Sequence, residues 1–246
     1  MQFVNTFFTL LIVASRRTHA GTGATAALSP TVENYLKHLH AELHDIDGEL
    51  LPMGQLAKAL NVTAGTATTM VKALADHALV KYEPRRGVRL TPGGERLALN
   101  VIRRHRLVEL FLVQTLGLDW SEVHEEAEVL EHAISEKVLD RINELLGHPQ
   151  FDPHGDPIPH AKGGFSPQSL RTLAECDLHK PLRIARVRAQ GTQFLQTVQR
   201  LGLTPGARVV VEARDQFAES LTVRAGNRAP VSLGLSAATK LMVEPA

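Results

Sequence analysis

A chain of 246 residues, 43% of them hydrophobic and 22% charged, has enough apolar material for one or two packed cores. Twenty-seven Lys and Arg against 26 Asp and Glu give a net charge of +1, which excludes a uniformly basic nucleic-acid coat but leaves room for a local basic patch. The single cysteine, Cys176, excludes an internal disulfide framework, suits a reducing compartment and reads as a packed small hydrophobe.

Residues 1–28 read as an appendage. FVNTFFTLLIVAS is apolar but shorter than the roughly 20 residues that span a bilayer. No Lys or Arg precedes it, whereas Arg16 and Arg17 follow, the reverse of a secretory signal's order. AGTGATAALSP then reads as a flexible, disordered spacer. The expected location is the cytoplasm, with no membrane partner.

Residues 29–92 form the first expected domain. Val32, Tyr35, Leu36, Leu39 and Leu43 make a helical stripe after Pro30, which suits a first turn. PMGQLAKAL is a short second helix. Thr63 is placed to cap a third, over residues 64–79, with Met70, Val71, Leu74 and Leu79 inward. VKYEPRRGVRLTP gives two short β-like runs around a PRRG turn. Helix, short helix, turn, helix and hairpin is the order of a winged helix-turn-helix.

Residues 93–162 form a helical domain, with long amphipathic helices expected over 93–117 and 121–147. Their apolar residues exceed what one packed face needs, which points to a dimer interface. HPQFDPHGDPIPHAKGGFSP, over residues 148–167, reads as a Pro/Gly-rich connection. Residues 163–246 change texture. PLRIARVRA, TPGARVVVEARD, SLTVRAG and KLMVEP alternate with period two and predict a small β-barrel of about five strands, with one helical turn in LQTVQRLGLTPG. The fold class is thus mainly α with a small β-barrel.

The chemistry concentrates in HEEAEVLEH. On one helix, His124, Glu128, Glu131 and His132 share a face. A solvated acidic face, a hydrolase zinc motif and a sensor site for a divalent metal all compete. The hydrolase motif needs two histidines four residues apart, and position 128 is Glu. No nucleophile or phosphate loop supports an enzyme. A second pair, His105 and Glu109, stands at helical spacing in RRHRLVE, and two such pairs on neighbouring helices can converge on a cation. Imidazole and carboxylate without thiolate suit Mn²⁺ or Fe²⁺.

The third helix presents Thr66, Thr68 and Thr69, short side chains that let a backbone approach base edges in the major groove. Arg85 and Arg86 at the hairpin tip can reach phosphates. With the capping Thr63, these are the candidate DNA-contacting residues, against the bland alternative of a polar hairpin surface.

TVENYLKHL, the helix-turn-helix, RRHRLVE, GLDWSEVHEEAEVLEH, GDPIP, TQFLQ and LGLTPG together resemble the iron-dependent repressor family, the group of the diphtheria toxin repressor and the manganese transport regulator. The resemblance runs from about residue 29 to the end. It implies a winged helix-turn-helix, a helical dimerisation and metal-binding domain, and a C-terminal domain similar to SH3 and FeoA barrels. It implies a homodimer that occludes promoters of metal-handling genes when metal is bound.

An ancillary site would map onto His105, Glu109 and His124, with Gln193 and Gln190 from the barrel; Gln190 stands where iron-type members have Glu. A primary site would map onto Glu128, Glu131 and His132. Iron-type members carry Cys at the position of Glu128 and manganese-type members carry Glu, which favours Mn²⁺ over Fe²⁺. Asn34 stands where these types have Met or Asp, and Lys37 where the manganese type has a further Glu. An ammonium repels a cation, so a winged-helix protein with weakened metal control is the second expectation.

Overall fold

The computed structural model describes residues 28–246 apart from 45, 47–49, 162, 166–167 and 190. The expectations for residues 1–27 and for Gln190 lie outside the described residues. The chain divides into two compact units, one holding residues up to Ile102 with 161–163, the other holding 103–160 and 164–246.

In the first unit, helix α1 spans Pro30–His44, α2 Met53–Ala59 and α3 Ala64–Asp76. Helix α1 buries Val32, Tyr35, Leu36, Leu39 and Leu43, the stripe its spacing predicts. The Thr63 side chain accepts the Thr66 N–H at 3.1 Å and so caps α3. Strands β1 (Val80–Glu83) and β2 (Gly87–Leu90) pair antiparallel, from Val80 opposite Leu90 to Glu83 opposite Gly87. Leu51 exchanges both backbone hydrogen bonds with Val88, at 2.9 and 3.0 Å, and adds a one-residue third strand to the wing. Leu36, Leu39, Leu56, Val71, Leu74 and Val88 fill the core.

Helix α4 runs from Pro92 to Gln114. The second expected helix is instead two, α5 (Val123–Leu130) and α6 (Glu136–Leu145). Ser135 explains the break: its side chain accepts the Val138 N–H and starts α6 afresh. Glu131, His132 and Ala133 form a turn rather than a continuing helix.

The C-terminal region holds the expected short strands and departs from the sequence reading in the closure of the sheet and the length of its helix. Its antiparallel sheet has six strands, in the order β3-β8-β4-β5-β6-β7: β3 Arg171–Thr172, β4 Leu182–Val187, β5 Arg208–Asp215, β6 Ser220–Ala225, β7 Val231–Gly234 and β8 Leu241–Pro245. The sheet ends at β3 and β7 without pairing them, so the ladder is open and no closed barrel forms among the described residues. LQTVQRLG belongs to a ten-residue helix, α7 (Thr192–Leu201), stopped by Gly202 at φ 74°, and a four-residue α8 (Leu235–Ala238) follows β7. Leu195 and Val198 of α7 pack with Trp120, Ile184, Val211, Leu221 and Leu241 in one core. Cys176 is buried there, its thiol donating to the Thr172 carbonyl. No helix of the described residues is long and apolar enough to cross a membrane.

Candidate metal centre and DNA-facing surface

The helical periodicity of α4 puts His105 and Glu109 one turn apart on its buried face, their side chains 8% and 0% exposed. His105 Nε2 lies 3.0 Å from Glu109 Oε1 and 3.1 Å from His124 Nδ1 on α5. His124 Nδ1 is 3.2 Å from the same Glu109 oxygen, and its Nε2 is 3.6 Å from Glu128, one turn further along α5. The other nitrogen of His105 sits 2.6 Å from Glu131 Oε2 and 3.9 Å from Glu128. Glu131 Oε1 in turn lies 3.3 Å from His132 Nε2. The six residues that the spacing singled out therefore meet in one continuous network. His105 bridges the His124–Glu109 end to the Glu131–His132 end.

His105, His124 and Glu128 each offer a ligand atom within 4.8 Å of the others. A second such trio is Glu109, Asp152 and His154, all buried. Asp152 and His154 were missed in the sequence, because FDPHGDPIP reads as turn punctuation. A signal was present: Asp152, His154 and Asp156 stand at alternate positions of that stretch. Asp152 Oδ1 accepts the N–H groups of His154 and Asp156 at 2.8 and 2.9 Å, which closes the loop on itself. His154 Nε2 is pinned 2.9 Å from the Trp120 carbonyl oxygen, leaving Nδ1 facing Glu109 Oε2 at 3.8 Å.

That second trio fits a cation. Glu109 Oε2, Asp152 Oδ2 and His154 Nδ1 are buried and have no hydrogen-bond partner, a costly arrangement for three polar atoms unless an ion satisfies them. Burial, with the charges of Asp156 and Glu109, pushes the Asp152 carboxyl up to about 8. Burial opposes charge on His154, yet the nearby Glu109 and Asp152 raise it to about 9; at 3.8 Å the pull of Glu109 is charge attraction rather than a hydrogen bond. Burial would also raise Glu109, but its histidine neighbours, His105 and His124 in the first trio and His154 in the second, hold it well below the usual carboxylate range. A divalent cation can replace the protons that otherwise neutralise this pocket. The donors are imidazole nitrogens and carboxylate oxygens with no thiolate, a hard set.

Gln193 is exposed on α7 and its side chain makes no hydrogen bond among the described residues. Asn34 is half-buried on α1 of the first unit.

Comparison with known proteins matches three family descriptions along the chain. Residues 27–88 match the iron dependent repressor N-terminal DNA binding domain, 91–160 the iron dependent repressor metal binding and dimerisation domain, and 171–245 the FeoA domain. The iron-dependent repressor IdeR of Mycobacterium tuberculosis is 34% identical over 201 residues, covering 75% of this chain and 85% of IdeR. The chain belongs to the iron-dependent repressor family. The diphtheria toxin repressor of Corynebacterium diphtheriae is 34% identical over 132 residues, 54% of this chain and 58% of that protein. Among solved structures, a manganese-dependent transcriptional repressor in complex with manganese superposes with a TM-score of 0.78 at 37% identity, covering 87% of this chain and all of that one. These relatives are metal-dependent transcriptional repressors.

For this repressor-family chain, α3 is the expected recognition helix. Thr66 and Thr69 are exposed and Thr68 is half-buried. The Thr68 and Thr69 hydroxyls donate back to the Ala64 and Gly65 carbonyls at 2.7 and 3.0 Å, so what they offer outward is a methyl group and oxygen lone pairs. At the wing tip, Arg86 pairs with Glu83, which also lies 3.3 Å from Lys81. Arg85 adopts φ 67° in the turn and makes no ion pair among the described residues. The two arginines are thus unequal: among the described residues Arg86 has an ion-pair partner and Arg85 has none.

Proposed function

We propose that this chain is a manganese-responsive transcriptional repressor, which binds promoter DNA as a homodimer when loaded with Mn²⁺ and thereby controls metal-handling genes. The observation that carries the reading is the network of His105, Glu109, His124, Glu128, Glu131 and His132, imidazoles and carboxylates linked one to the next by contacts of 2.6 to 3.6 Å. Glu128 stands where iron-type relatives carry Cys, and a carboxylate suits Mn²⁺ better than a thiolate does. Asp152 and His154 extend the donor set from Glu109. Bound there, the cation supplies positive charge that ties α4, α5 and the 152–156 loop together. Gln193 and Gln190 are proposed as neutral oxygen donors that complete the coordination.

The protein's own residues do the rest. Thr63 holds the start of α3 rigid, and Thr66, Thr68 and Thr69 face the base edges. Arg85, and more weakly the paired Arg86, hold phosphates. Val129, Val138 and Leu145 leave apolar surface exposed on α5 and α6, which supports self-association.

The deciding experiment is a promoter mobility shift titrated separately with Mn²⁺ and Fe²⁺ under anaerobic conditions, with a chelator control. Mn²⁺ should produce the shift at lower free concentration than Fe²⁺, and chelator should reverse it. Binding that ignores chelator would instead support a winged-helix protein without metal control, the reading that Lys37 favours.

A further inference from the structure

We infer that Arg186, on β4 of the C-terminal sheet, is a positioning residue for the buried Glu109–Asp152–His154 trio, acting through Asp156 without touching the trio. The inference rests on the metal-sensing reading above. It gives the C-terminal sheet a hold on metal affinity that needs no ligand from the sheet itself.

Asp152 can aim Oδ2 at Glu109 and His154 only while Oδ1 holds the N–H groups of His154 and Asp156. The loop's shape is therefore the trio's shape. Nothing in the short run 152–156 is helical or in a sheet ladder, so its conformation has to be imposed from outside. Two contacts with β4 impose it. The Val187 N–H donates to the His154 carbonyl at 2.8 Å. The Arg186 guanidinium pairs with the Asp156 carboxylate, which is only 6% exposed.

Arg106 of α4 holds the same loop from the other side. Its Nε lies 3.7 Å from Asp152 Oδ2, its Nη2 lies 3.6 Å from Asp156 Oδ1, and it also donates to the Pro157 carbonyl. Both of its carboxylate separations are long, and it is shared between two acids. Arg186 makes the closer contact to Asp156, so it is the tether that fixes where Asp156 and its N–H sit.

The sheet is built for that contact. In an unbroken strand Arg186 would share a face with Ile184, which is fully buried in the sheet core. The register shifts between Ile184 and Arg186, and a bulge of this kind re-aims the side chains around it. At the same point the loop comes against the strand backbone: a Cβ on Gly155 would lie 2.0 Å from the Ala185 carbonyl oxygen. The bulge thus turns a core-facing position into one that can hold the loop.

The test uses the full chain. Binding is read as Mn²⁺ equivalents from the electron paramagnetic resonance of the free ion, with amide exchange of residues 154–158 followed in the metal-free protein. Arg186→Met should weaken one Mn²⁺ equivalent by about 10- to 100-fold, leave the others unchanged and speed exchange in the loop. Asp156→Asn should do the same. Arg186→Lys, which keeps the charge, should recover most of the affinity.

The double variant Arg186→Met/Asp156→Asn leaves no orphaned buried charge, and it should bind Mn²⁺ no more weakly than either single variant, because both act through one contact. Unchanged Mn²⁺ affinity in Arg186→Met, even with a lowered melting temperature, would overturn the inference, since the contact would then be structural only. Additive losses in the double variant would also overturn it. Glu109→Gln separates the underlying reading: if it retains every Mn²⁺ equivalent, the metal centre itself is misassigned.

Discussion

The two trios differ in how water reaches them. His105, His124 and Glu128 have side chains 8%, 35% and 31% exposed. Glu109, Asp152 and His154 are 0% exposed. The first trio lies on two helices at regular spacing, and its one acid, Glu128, can be hydrated when no cation is present. The second depends on a loop. Its Asp152 is pushed up to about 8, so at neutral pH it holds a proton or a cation in preference to a bare charge. Glu109 is a member of the second trio and touches the first, Oε1 facing His105 and His124 while Oε2 faces His154. One carboxylate thus links a partly exposed site to an exacting buried one.

The largest expected effect follows from that shared position. Glu109→Gln should weaken Mn²⁺ at both trios, by more than the roughly 10- to 100-fold typical of an outer-shell change. Titration of Mn²⁺ by paramagnetic resonance would show it, and loss of a single equivalent would break the claim that Glu109, through its two oxygens, serves both trios.

Gly155→Ala should act on the buried trio alone. Gly155 sits at φ 84°, and an added Cβ would collide with the Ala185 backbone. Backbone strain costs on the order of 1–3 kcal/mol, and relieving it means lifting the loop off β4. The melting temperature of the metal-free chain should fall, one Mn²⁺ equivalent should be lost, and the Val187 amide should exchange faster. An unchanged Val187 amide would mean the loop is not seated as described.

A smaller effect is expected from Glu128→Gln, which keeps size and removes charge at a side chain 31% exposed. Mn²⁺-dependent promoter binding should weaken, while metal-free stability stays within about 0.5 kcal/mol in thermal melts. Persistence of the buried equivalent in this variant would sharpen the contrast between the trios. Its loss would show them to be one site.

The smallest belongs to His132→Ala. His132 touches the network through Glu131 Oε1 at 3.3 Å and follows the end of α5. About a tenfold loss of Mn²⁺ affinity is expected if it only orients Glu131. A loss as large as that of Glu109→Gln would promote it to a direct ligand.

Much of this was legible in the chain itself. The apolar stripe of α1, the Thr63 cap and the paired wing strands follow from spacing and turn chemistry that act over a few residues. So does the pairing of His105 with Glu109, because a helix puts residues four apart on one face. The break between α5 and α6 was also written locally, in Ser135, but the continuous apolar pattern of residues 121–147 outweighed it.

What local rules cannot reach was decided by packing. HEEAEVLEH alone places His124 and Glu128 on one stripe; only the docking of α5 on α4 brings His105 to within 2.6 Å of Glu131, a residue at the end of that stripe. The open edges of the sheet depend on which strands find partners, and alternation along a strand says nothing about its neighbours. Asp152 and His154 are the clearest case. Their stretch has the composition of a turn, and that is how it folds. They face Glu109 because β4 and α4 clamp the loop from two sides, a tertiary contact between segments distant in sequence. Periodicity records which face a residue takes; which other face it meets is set by the global minimum of packing and charge.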